Sequence, residues 1–377
     1  MRRNQKLLLC LLLLVLAIYY FLIPSKKSGR RYSAIHDNKV RHPISFYMKD
    51  VEKNDTLLKL ITSQEFLHPG SSEALRSYLR SSEKPDSTYR GTAPSDSPFD
   101  VETDVLVYLH IQKVGGTVFN QHLIKDLILQ KPCQCTGDVL TQPCHCTNNH
   151  GNIWLFSWFT VGWPCGLHAD WTMLHECVDN ALNNIEGKKR KRRYFYITLL
   201  RDPVSRYLSE WRHQQTGQHW EDAKLTCDGK RVSLFDVRPC FQDTWEDVSL
   251  NEFMECRDNL ATNRQTRMLA NLSKSECYRR NKMKPEKRAE LQILSAIENL
   301  DKISFFGLTK YQQLTQKLFE KTFNLKFEKE FHTLDDEVND IRVSEDEFVH
   351  IMKYIELDVQ LYLHAKQMFM ARTRDLL

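Results

Sequence analysis

The sequence predicts an α/β fold in which helices flank a central, mainly parallel β-sheet. In three places a run of β-forming residues is followed by a turn and then by apolar residues at helical spacing. Strands that alternate with helices in this way pair in parallel, with the helices packed on the faces of the sheet. The three units therefore predict one sheet whose strand ends, and the loops after them, lie along a common edge.

The first unit begins with VLVYLHI, residues 105–111, and passes through Gly115-Gly116 into TVFNQHLIKDLIL. The second begins with RYFYITLL, residues 193–200, turns at Arg201-Asp202-Pro203 and continues as VSRYLSEWRHQ. The third joins ISFFGL, residues 303–308, to YQQLTQKLFEKTF. Apolar spacing predicts further helices at 249–272, 285–300 and 344–374, and a short one near 51–64.

An uncharged apolar run at residues 7–23, with basic residues on both sides, is about the minimum length that spans a bilayer. A cleaved signal peptide is the alternative, but the run ends in bulky residues and has no small-x-small cleavage site. Residues 32–100 lack apolar periodicity and end in a stretch rich in Ser, Pro and charge. We therefore expect a cytoplasmic tail at 1–6, a transmembrane signal-anchor at 7–23, a flexible lumenal stem at 24–100 and a lumenal domain at 101–377.

Ten of the eleven cysteines fall between Cys133 and Cys277. An even number behind a membrane-entry signal indicates an oxidising compartment and up to five disulfides, whose pairing the sequence leaves open. The CQC and CHC motifs, residues 133–135 and 144–146, resemble a zinc knuckle, but a disulfide-stapled loop is favoured because zinc sites mostly use C-x₂-C spacing. The sequons at Asn54 and Asn271 are candidate glycosylation sites.

The net charge of +5 comes from the first 31 residues, which hold seven Lys/Arg and no acid. Beyond them 46 basic residues face 48 acidic ones, so a polyanionic substrate must be bound by local basic clusters. The run KKRKRR, residues 188–193, is either such a cluster, a solvated loop or a proteolytic processing site. A nuclear signal does not fit behind a membrane anchor, and no nucleic-acid partner is expected.

The loop HIQKVGGT, residues 110–117, has the composition of an anion site between a strand and a helix. Gly115 and Gly116 let backbone amides approach an anion, Lys113 can reach its charge, and Thr117 is expected to cap the helix. In a Walker A loop the lysine follows the second glycine, whereas here it precedes both glycines. A kinase or ATPase is therefore disfavoured, and a plain tight turn is the alternative.

Arg201 leaves the tip of the second strand, and Ser209 lies two turns along the next helix, so the two residues could share one phosphate. The alternative is an Arg201-Asp202 ion pair in a turn, with Ser209 on the surface. Because parallel strand tips point to one edge, the phosphate interpretation is favoured. Between the strands lies WLFSWFTVGWPCGLHADW, in which His168 is surrounded by aromatic residues and is a candidate general base.

Five blocks in this order resemble the heparan sulfate 6-O-sulfotransferase family, from about Asp104 to about Lys329. They are YLHIQKVGGTVF, WLFSWFTVGWPCGLHADW, YITLLRDPVSRYLSEWRH, NLATNRQTRMLANLS and FFGLTKYQQLTQKLFEKTFNLKF. The resemblance implies a Golgi single-pass type II membrane enzyme with a P-loop-like sulfotransferase fold. It would transfer a sulfuryl group from 3′-phosphoadenylyl sulfate (PAPS), without a metal, to the 6-hydroxyl of glucosamine in heparan sulfate.

The resemblance also implies roles for individual residues. His168 would take the proton of the attacking hydroxyl, and Lys113 would steady the charge on the departing phosphate oxygen. The residues expected to hold the donor are His110, Ile111, Gln112, Lys113, Val114, Gly115, Gly116, Thr117, Val118, Arg201, Ser209, His332, Thr333 and Leu334. Those expected to contact the sugar chain are Trp158, Trp163, His168, His213 and Trp220.

Three departures from the family pattern concern substrate contacts and the C-terminal donor segment. Gln142-Pro143 replaces a lysine pair, Trp158 stands where an arginine is usual, and FHTLDDEVND, residues 331–340, lacks a Ser-Thr-Arg segment. The first two bear on the preferred sulfation pattern and not on the donor site. A catalytically inactive heparan-sulfate-binding relative is the alternative, but intact Lys113, His168, Arg201 and Ser209 argue against it.

Overall fold

The computed structural model describes residues 40–47, 98–137, 143–217, 225–240, 244–334 and 338–376. All of these except Val40 belong to one compact unit, Arg41–Leu377. The predicted tail, the anchor at 7–23, the helix near 51–64, Asn54 and Trp220 lie outside the described residues. Within the described ranges no helix is long and apolar enough to cross a membrane.

The strands are β1 (His42–Pro43), β2 (Val105–Leu109), β3 (Leu155–Phe156), β4 (Tyr194–Leu200), β5 (Thr226–Cys227), β6 (Lys230–Arg231), β7 (Phe305–Leu308) and β8 (Arg342–Val343). The helices are α1 (Gly116–Lys125), α2 (Trp158–Val161), α3 (Trp171–Glu186), α4 (Pro203–Gln214), α5 (Leu250–Glu255), α6 (Arg264–Leu269), α7 (Pro285–Lys302), α8 (Gln312–Phe323), α9 (Glu345–Tyr354) and α10 (Glu356–Thr373). Short 3₁₀ turns lie at Leu272–Ser275, Arg280–Lys282 and Arg374–Leu376.

The central sheet has four strands in the order β3-β2-β4-β7, and every neighbouring pair is parallel. All residues of β2 and β7 are buried, as expected of parallel strands that are covered on both faces. The three predicted strands and the helices that follow them are confirmed. β3 was not predicted, because two residues in an aromatic segment carry no alternating pattern of their own.

Two of the predicted helices are each divided in the structure. The segment 249–272 holds α5 and α6, separated by a loop in which Asn263 has a φ of 45°, so the prediction of one helix was wrong. The segment 344–374 holds α9 and α10, which are separated at Ile355. The predicted helix 285–300 corresponds to α7. Helix α3 was missed; Asp170 begins it by accepting a hydrogen bond from the Met173 amide at 3.0 Å.

The ten cysteines between Cys133 and Cys277 form five disulfides: Cys133–Cys146, Cys135–Cys144, Cys165–Cys177, Cys227–Cys277 and Cys240–Cys256. The first two join CQC to CHC, whose central residues Gln134 and His145 also pair backbone to backbone. The disulfide-stapled loop is therefore confirmed, and a zinc knuckle is not formed because its sulfurs are consumed.

Part of the predicted flexible stem is docked on the compact unit. Strand β1 pairs antiparallel with β8, and Ile44, only 1% exposed, donates its amide to the Ile341 carbonyl at 2.8 Å. Arg41 bonds Glu347 at 2.9 Å. Residues 41–47 are therefore a folded part of this unit, and the stem prediction does not hold for them.

The basic run 188–193 is divided by residue type. Its lysines are exposed, whereas Arg190 and Arg192 bind Glu186, and Arg193 bonds Asp104. The arginines thus tie the end of α3 and the start of β4 to neighbouring elements. This segment is more than a solvated loop, and cleavage there would require the arginines to leave these carboxylates.

Candidate functional site

Three loops meet at the edge of the sheet where β2, β4 and β7 end. Arg201, directly after β4, donates from Nη1 to the Lys113 carbonyl at 2.9 Å. Thr309, directly after β7, donates from Oγ1 to the Val114 carbonyl at 2.6 Å. The predicted meeting of the HIQKVGGT loop with Arg201 is therefore present. Thr309 was not predicted, although its place at the third strand tip is the signal that would have identified it.

These contacts orient the backbone of the loop. In a trans peptide the carbonyl and the following N–H point in opposite directions. Because the carbonyls of Lys113 and Val114 face Arg201 and Thr309, the amides of Val114 and Gly115 face the other way. Lys113 and Gly115 have left-handed φ values of 64° and 80°, a conformation typical of anion-binding nests. With the first amides of α1, this loop presents N–H groups to an anion.

The two glycines of this loop are required for different reasons. Gly115 is the N-cap of α1, so Thr117 lies in the first helical turn and the prediction that it caps the helix was wrong. A Cβ on Gly115 would lie 2.6 Å from Leu334 Cδ1. A Cβ on Gly116 would collide with the His110 ring and the Tyr108 hydroxyl. Leu334 therefore lies beside the loop, while His332 and Thr333 are exposed.

His168 lies at the same edge, in the turn before α3, with a left-handed φ of 51°. Its ring centroid is 4.9 Å from that of His110 and 4.9 Å from that of Trp163. Its Nδ1 is 3.4 Å from the carbonyl of His110, the first residue of the HIQKVGGT loop. Trp158 stacks near His110 at 6.0 Å. The structure thus brings together the candidate base, the loop and two of the predicted sugar-contacting tryptophans.

Burial controls the protonation of both histidines. It lowers the pKa of His110 to about 4. It also lowers the pKa of His168 well below 6.5, assisted by the nearby charges of His110 and Arg264. A carbonyl oxygen can only accept a hydrogen bond, so the His168 Nδ1 carries the proton in this contact. His168 is therefore neutral at pH 7, and its Nε2 has a lone pair available to accept a proton.

A buried ion network lies behind this histidine and was not predicted. Glu210 binds Arg206 and Arg264, and all three side chains are almost completely buried. Burial alone would raise the pKa of Glu210, but the two guanidinium groups lower it to about 2. Arg264 also lines a small cavity beside His168, together with Arg267, Asp170 and Tyr278. The network therefore forms a rigid, charged wall on this side of the site.

The remaining predicted residues occupy α4 and its surroundings. Ser209 is only 2% exposed, so the interpretation of it as a surface residue was wrong. Asp202 accepts the Ser205 amide at 2.9 Å and caps α4. His213 is exposed in the last turn of that helix. Asn271 accepts the Ser273 amide at 3.1 Å, within the sequon.

Comparison with known proteins gives a family. A model of the sulfotransferase family matches residues 98–364. Heparan-sulfate 6-O-sulfotransferase 1 of Cricetulus griseus is 47% identical over 279 residues, which are 73% of this chain and 69% of that protein. The Homo sapiens protein of that name is 46% identical over 73% of this chain and 68% of its own length.

A third relative comes from zebrafish. Heparan-sulfate 6-O-sulfotransferase 3-B of Danio rerio is 43% identical over 282 residues, 74% of this chain and 67% of that protein. These similarities confirm the resemblance that the five sequence blocks indicated. The chain therefore belongs to the sulfotransferase family and, within it, to the heparan-sulfate 6-O-sulfotransferases.

Proposed function

We propose that this protein transfers the sulfuryl group of PAPS to the 6-hydroxyl of glucosamine residues in heparan sulfate. The observation that carries the proposal is that residues 110–117, here called the phosphate loop, meet Arg201 and His168 at one sheet edge, in a chain of this family. These residues supply an anion site and a neutral base next to each other. No observation favours the catalytically inactive alternative.

The residues at this edge suit a polyanionic nucleotide. Tyr108 Oη and His110 Nδ1 are buried without a hydrogen-bond partner among the described residues; both can donate to an anion, and both lie in or beside the loop. Buried polar atoms normally form hydrogen bonds, and a polar ligand bound here would provide the missing partners. Residues 110–118 would hold the 5′-phosphosulfate, Arg201 with Ser209 the 3′-phosphate, and residues 332–334 would close one side. PAPS supplies the activated sulfuryl group.

The protein's own contribution is positioning and proton transfer. His168 is held by the His110 carbonyl, so its Nε2 can take the proton of the glucosamine hydroxyl as that oxygen attacks. Lys113 would place a positive charge where negative charge grows on the departing phosphate. Trp158 and Trp163 offer aromatic faces to a sugar ring. No covalent enzyme intermediate is required.

The test is regiochemical. The full chain, purified in detergent, is incubated with radiolabelled PAPS and N-sulfated heparosan, and the product is digested to disaccharides to locate the label. Label on the glucosamine 6-oxygen is expected, and label at the 2-O or 3-O position would contradict the proposal. His168→Ala should abolish incorporation. His175→Ala is a matched control, because His175 is an exposed histidine of α3.

We also propose that residues 7–23 anchor the protein in the Golgi membrane with the catalytic unit in the lumen, and that Asn54 and Asn271 carry N-glycans. The support is the apolar run with its basic flanks and the use of all ten remaining cysteines in disulfides. Protease protection of the catalytic unit in sealed Golgi vesicles tests the orientation. Digestion of the unit without detergent would contradict it.

A further inference from the structure

The backbone of Arg201 obtains its hydrogen bonds from a side chain far away in sequence. Beyond Leu200 the strand has ended, so the N–H and carbonyl of Arg201 have no neighbouring strand, and buried backbone groups need partners. Gln265 supplies both. Its Oε1 accepts from the Arg201 amide at 3.0 Å, and its Nε2 donates to the Arg201 carbonyl at 3.0 Å. Gln265 thus takes the place of one residue of an adjacent strand.

We infer that Gln265 is a positioning residue of the donor site, which fixes the backbone of Arg201 and thereby aims its guanidinium. The inference rests on the proposed role of Arg201 in binding the 3′-phosphate of PAPS. A primary amide is suited to this task because it carries a donor and an acceptor side by side. Glutamate would place a second acceptor against the Arg201 carbonyl, and methionine would offer neither group.

Gln265 is itself held rigidly, which is what a positioning residue needs. It is 1% exposed and lies in the first turn of α6. Asp358, on α10, accepts the amides of Gln265 and Thr266 at 3.1 and 2.7 Å. In return, Asn263 Oδ1 accepts the amides of Leu357 and Asp358 at 2.9 and 3.3 Å. The first turns of α6 and α10 therefore cap each other.

These contacts form a continuous path from the C-terminal helix to the phosphate loop. Asp358 orients the start of α6, Gln265 on that helix holds Arg201, and Arg201 donates to the Lys113 carbonyl at 2.9 Å. Asp358 is completely buried, and its Oδ2 lies 3.9 Å from Arg206 Nε. A substitution of Gln265 breaks the link between α6 and Arg201. It leaves the contacts of Asp358 with α6 and the side chain of Arg201 in place.

The experiment separates positioning from folding by comparing the donor KM with kcat. In the full chain, Gln265→Met should raise the KM for PAPS about tenfold, because a guanidinium that is no longer aimed loses most of one charge-assisted hydrogen bond. At saturating PAPS, kcat should stay within about threefold, since the substitution replaces no side chain that acts on the reacting groups. A purely structural role would reduce the active fraction and leave the KM unchanged.

Two further variants keep the inference testable. Gln265→Glu should also raise the PAPS KM, and the ratio of its KM to that of the wild type should shrink as the pH falls, because a protonated carboxyl again donates to the Arg201 carbonyl. Asn299→Leu is the matched control: it removes another buried amide, which bonds the Leu269 carbonyl at 2.7 Å at the far end of α6. Its PAPS KM should equal that of the wild type.

Arg201→Ala distinguishes an error in the proposed donor site from an error in the proposed role of Gln265. If it leaves the PAPS KM unchanged, the donor site proposed above is wrong. If it raises the KM while Gln265→Met and Gln265→Glu do not, the donor site stands and the positioning role of Gln265 is refuted. An equal rise in Asn299→Leu would also refute it, because the effect would then belong to α6 in general.

Discussion

Replacing Gly115 by alanine tests whether residues 332–334 lie on the phosphate loop. Gly115 has a φ of 80°, and a Cβ added there would lie 2.6 Å from Leu334 Cδ1 and 3.4 Å from Thr309 Cγ2. The substitution therefore meets two separate obstacles. One is the left-handed backbone conformation, and the other is the crowding by Leu334.

The two costs can be estimated separately. A left-handed conformation costs a non-glycine residue roughly 1–2 kcal/mol. The close contact is with the end of the half-buried Leu334 side chain, which can shift, so the cost of the crowding is at the low end for overpacking, roughly 1 kcal/mol. Gly115→Ala should therefore lower the free energy of unfolding by about 2–3 kcal/mol. Adding Leu334→Ala in the same chain should remove the cost of the crowding, which gives a coupling energy of about 1 kcal/mol between the two substitutions.

The measurement is equilibrium urea denaturation with the disulfides intact, on the two single variants and the double variant. Gly151→Ala is the matched control, because Gly151 has a φ of 74° and no atom lies within 4 Å of an added Cβ. It isolates the backbone cost. The KM for PAPS, measured in parallel, should rise in Gly115→Ala and recover in part in the double variant.

Two results would refute this reasoning. One is a loss of stability in Gly115→Ala no larger than in Gly151→Ala. The other is strict additivity of Gly115→Ala and Leu334→Ala. Either result would mean that Leu334 does not rest on the phosphate loop, and the assignment of residues 332–334 to the donor site would lose its structural support.

Four further predictions concern the base, the ion network and the docked stem segment. His168→Ala should abolish turnover while adenosine 3′,5′-bisphosphate still binds in calorimetry; retained turnover would exclude His168 as the base. Burial lowers the His168 pKa below 6.5, and the base must be neutral, so the acid limb of kcat/KM should lie below pH 6.5; a midpoint at or above 6.5 would contradict this. Glu210→Gln leaves buried Arg264 without its carboxylate partner and leaves Arg206 with Asp358, 3.9 Å away, as its remaining one among the described residues, so it should lower the free energy of unfolding by about 3–5 kcal/mol in urea denaturation. Glu298→Gln, in an exposed ion pair with Lys274, should lower it by less than about 1 kcal/mol. Equal losses would contradict the role of Glu210 as the counter-charge of the buried network. Deleting residues 1–47 removes buried Ile44 and should cost about 1.5–3 kcal/mol more than deleting 1–39; equal stability would mean that β1 does not contribute.

The principal strands could be predicted because their signals are local. In β2, β4 and β7, β-forming residues run up to a turn, so each strand end could be placed within two residues. The interruption between α5 and α6 could not, because the apolar spacing continues across it. There α5 ends at Glu255, and a new helix, α6, begins after the left-handed Asn263, which contacts α10. Contacts from a distant segment overrode a local periodicity.

The residues of the site also divide into those that local signals predict and those that depend on contacts with distant segments. Lys113, Arg201 and His168 could be selected from the sequence because strand tips of a parallel sheet share an edge and because their side chains suit anions and protons. Thr309, at the tip of the third strand, could have been selected by the same rule. Gln265 and the Glu210 network could not, since each is identified by a partner in another part of the chain. The reason for Gly116 also differs from the expected one: the His110 ring and the Tyr108 hydroxyl occupy the space of its Cβ.

The sequence by itself determined the strand–loop–helix units, the chemistry of the loop HIQKVGGT and the family, because propensities, turn residues and motif order are local properties. Only the tertiary structure decided which groups satisfy the backbone polar atoms of Arg201, the residue that bonds this loop. Arg201 and Gln265 are 64 residues apart, yet Gln265 holds both backbone polar groups of Arg201. The physical reason is desolvation: a buried polar group must find a partner, and which segment supplies it depends on how the whole chain packs.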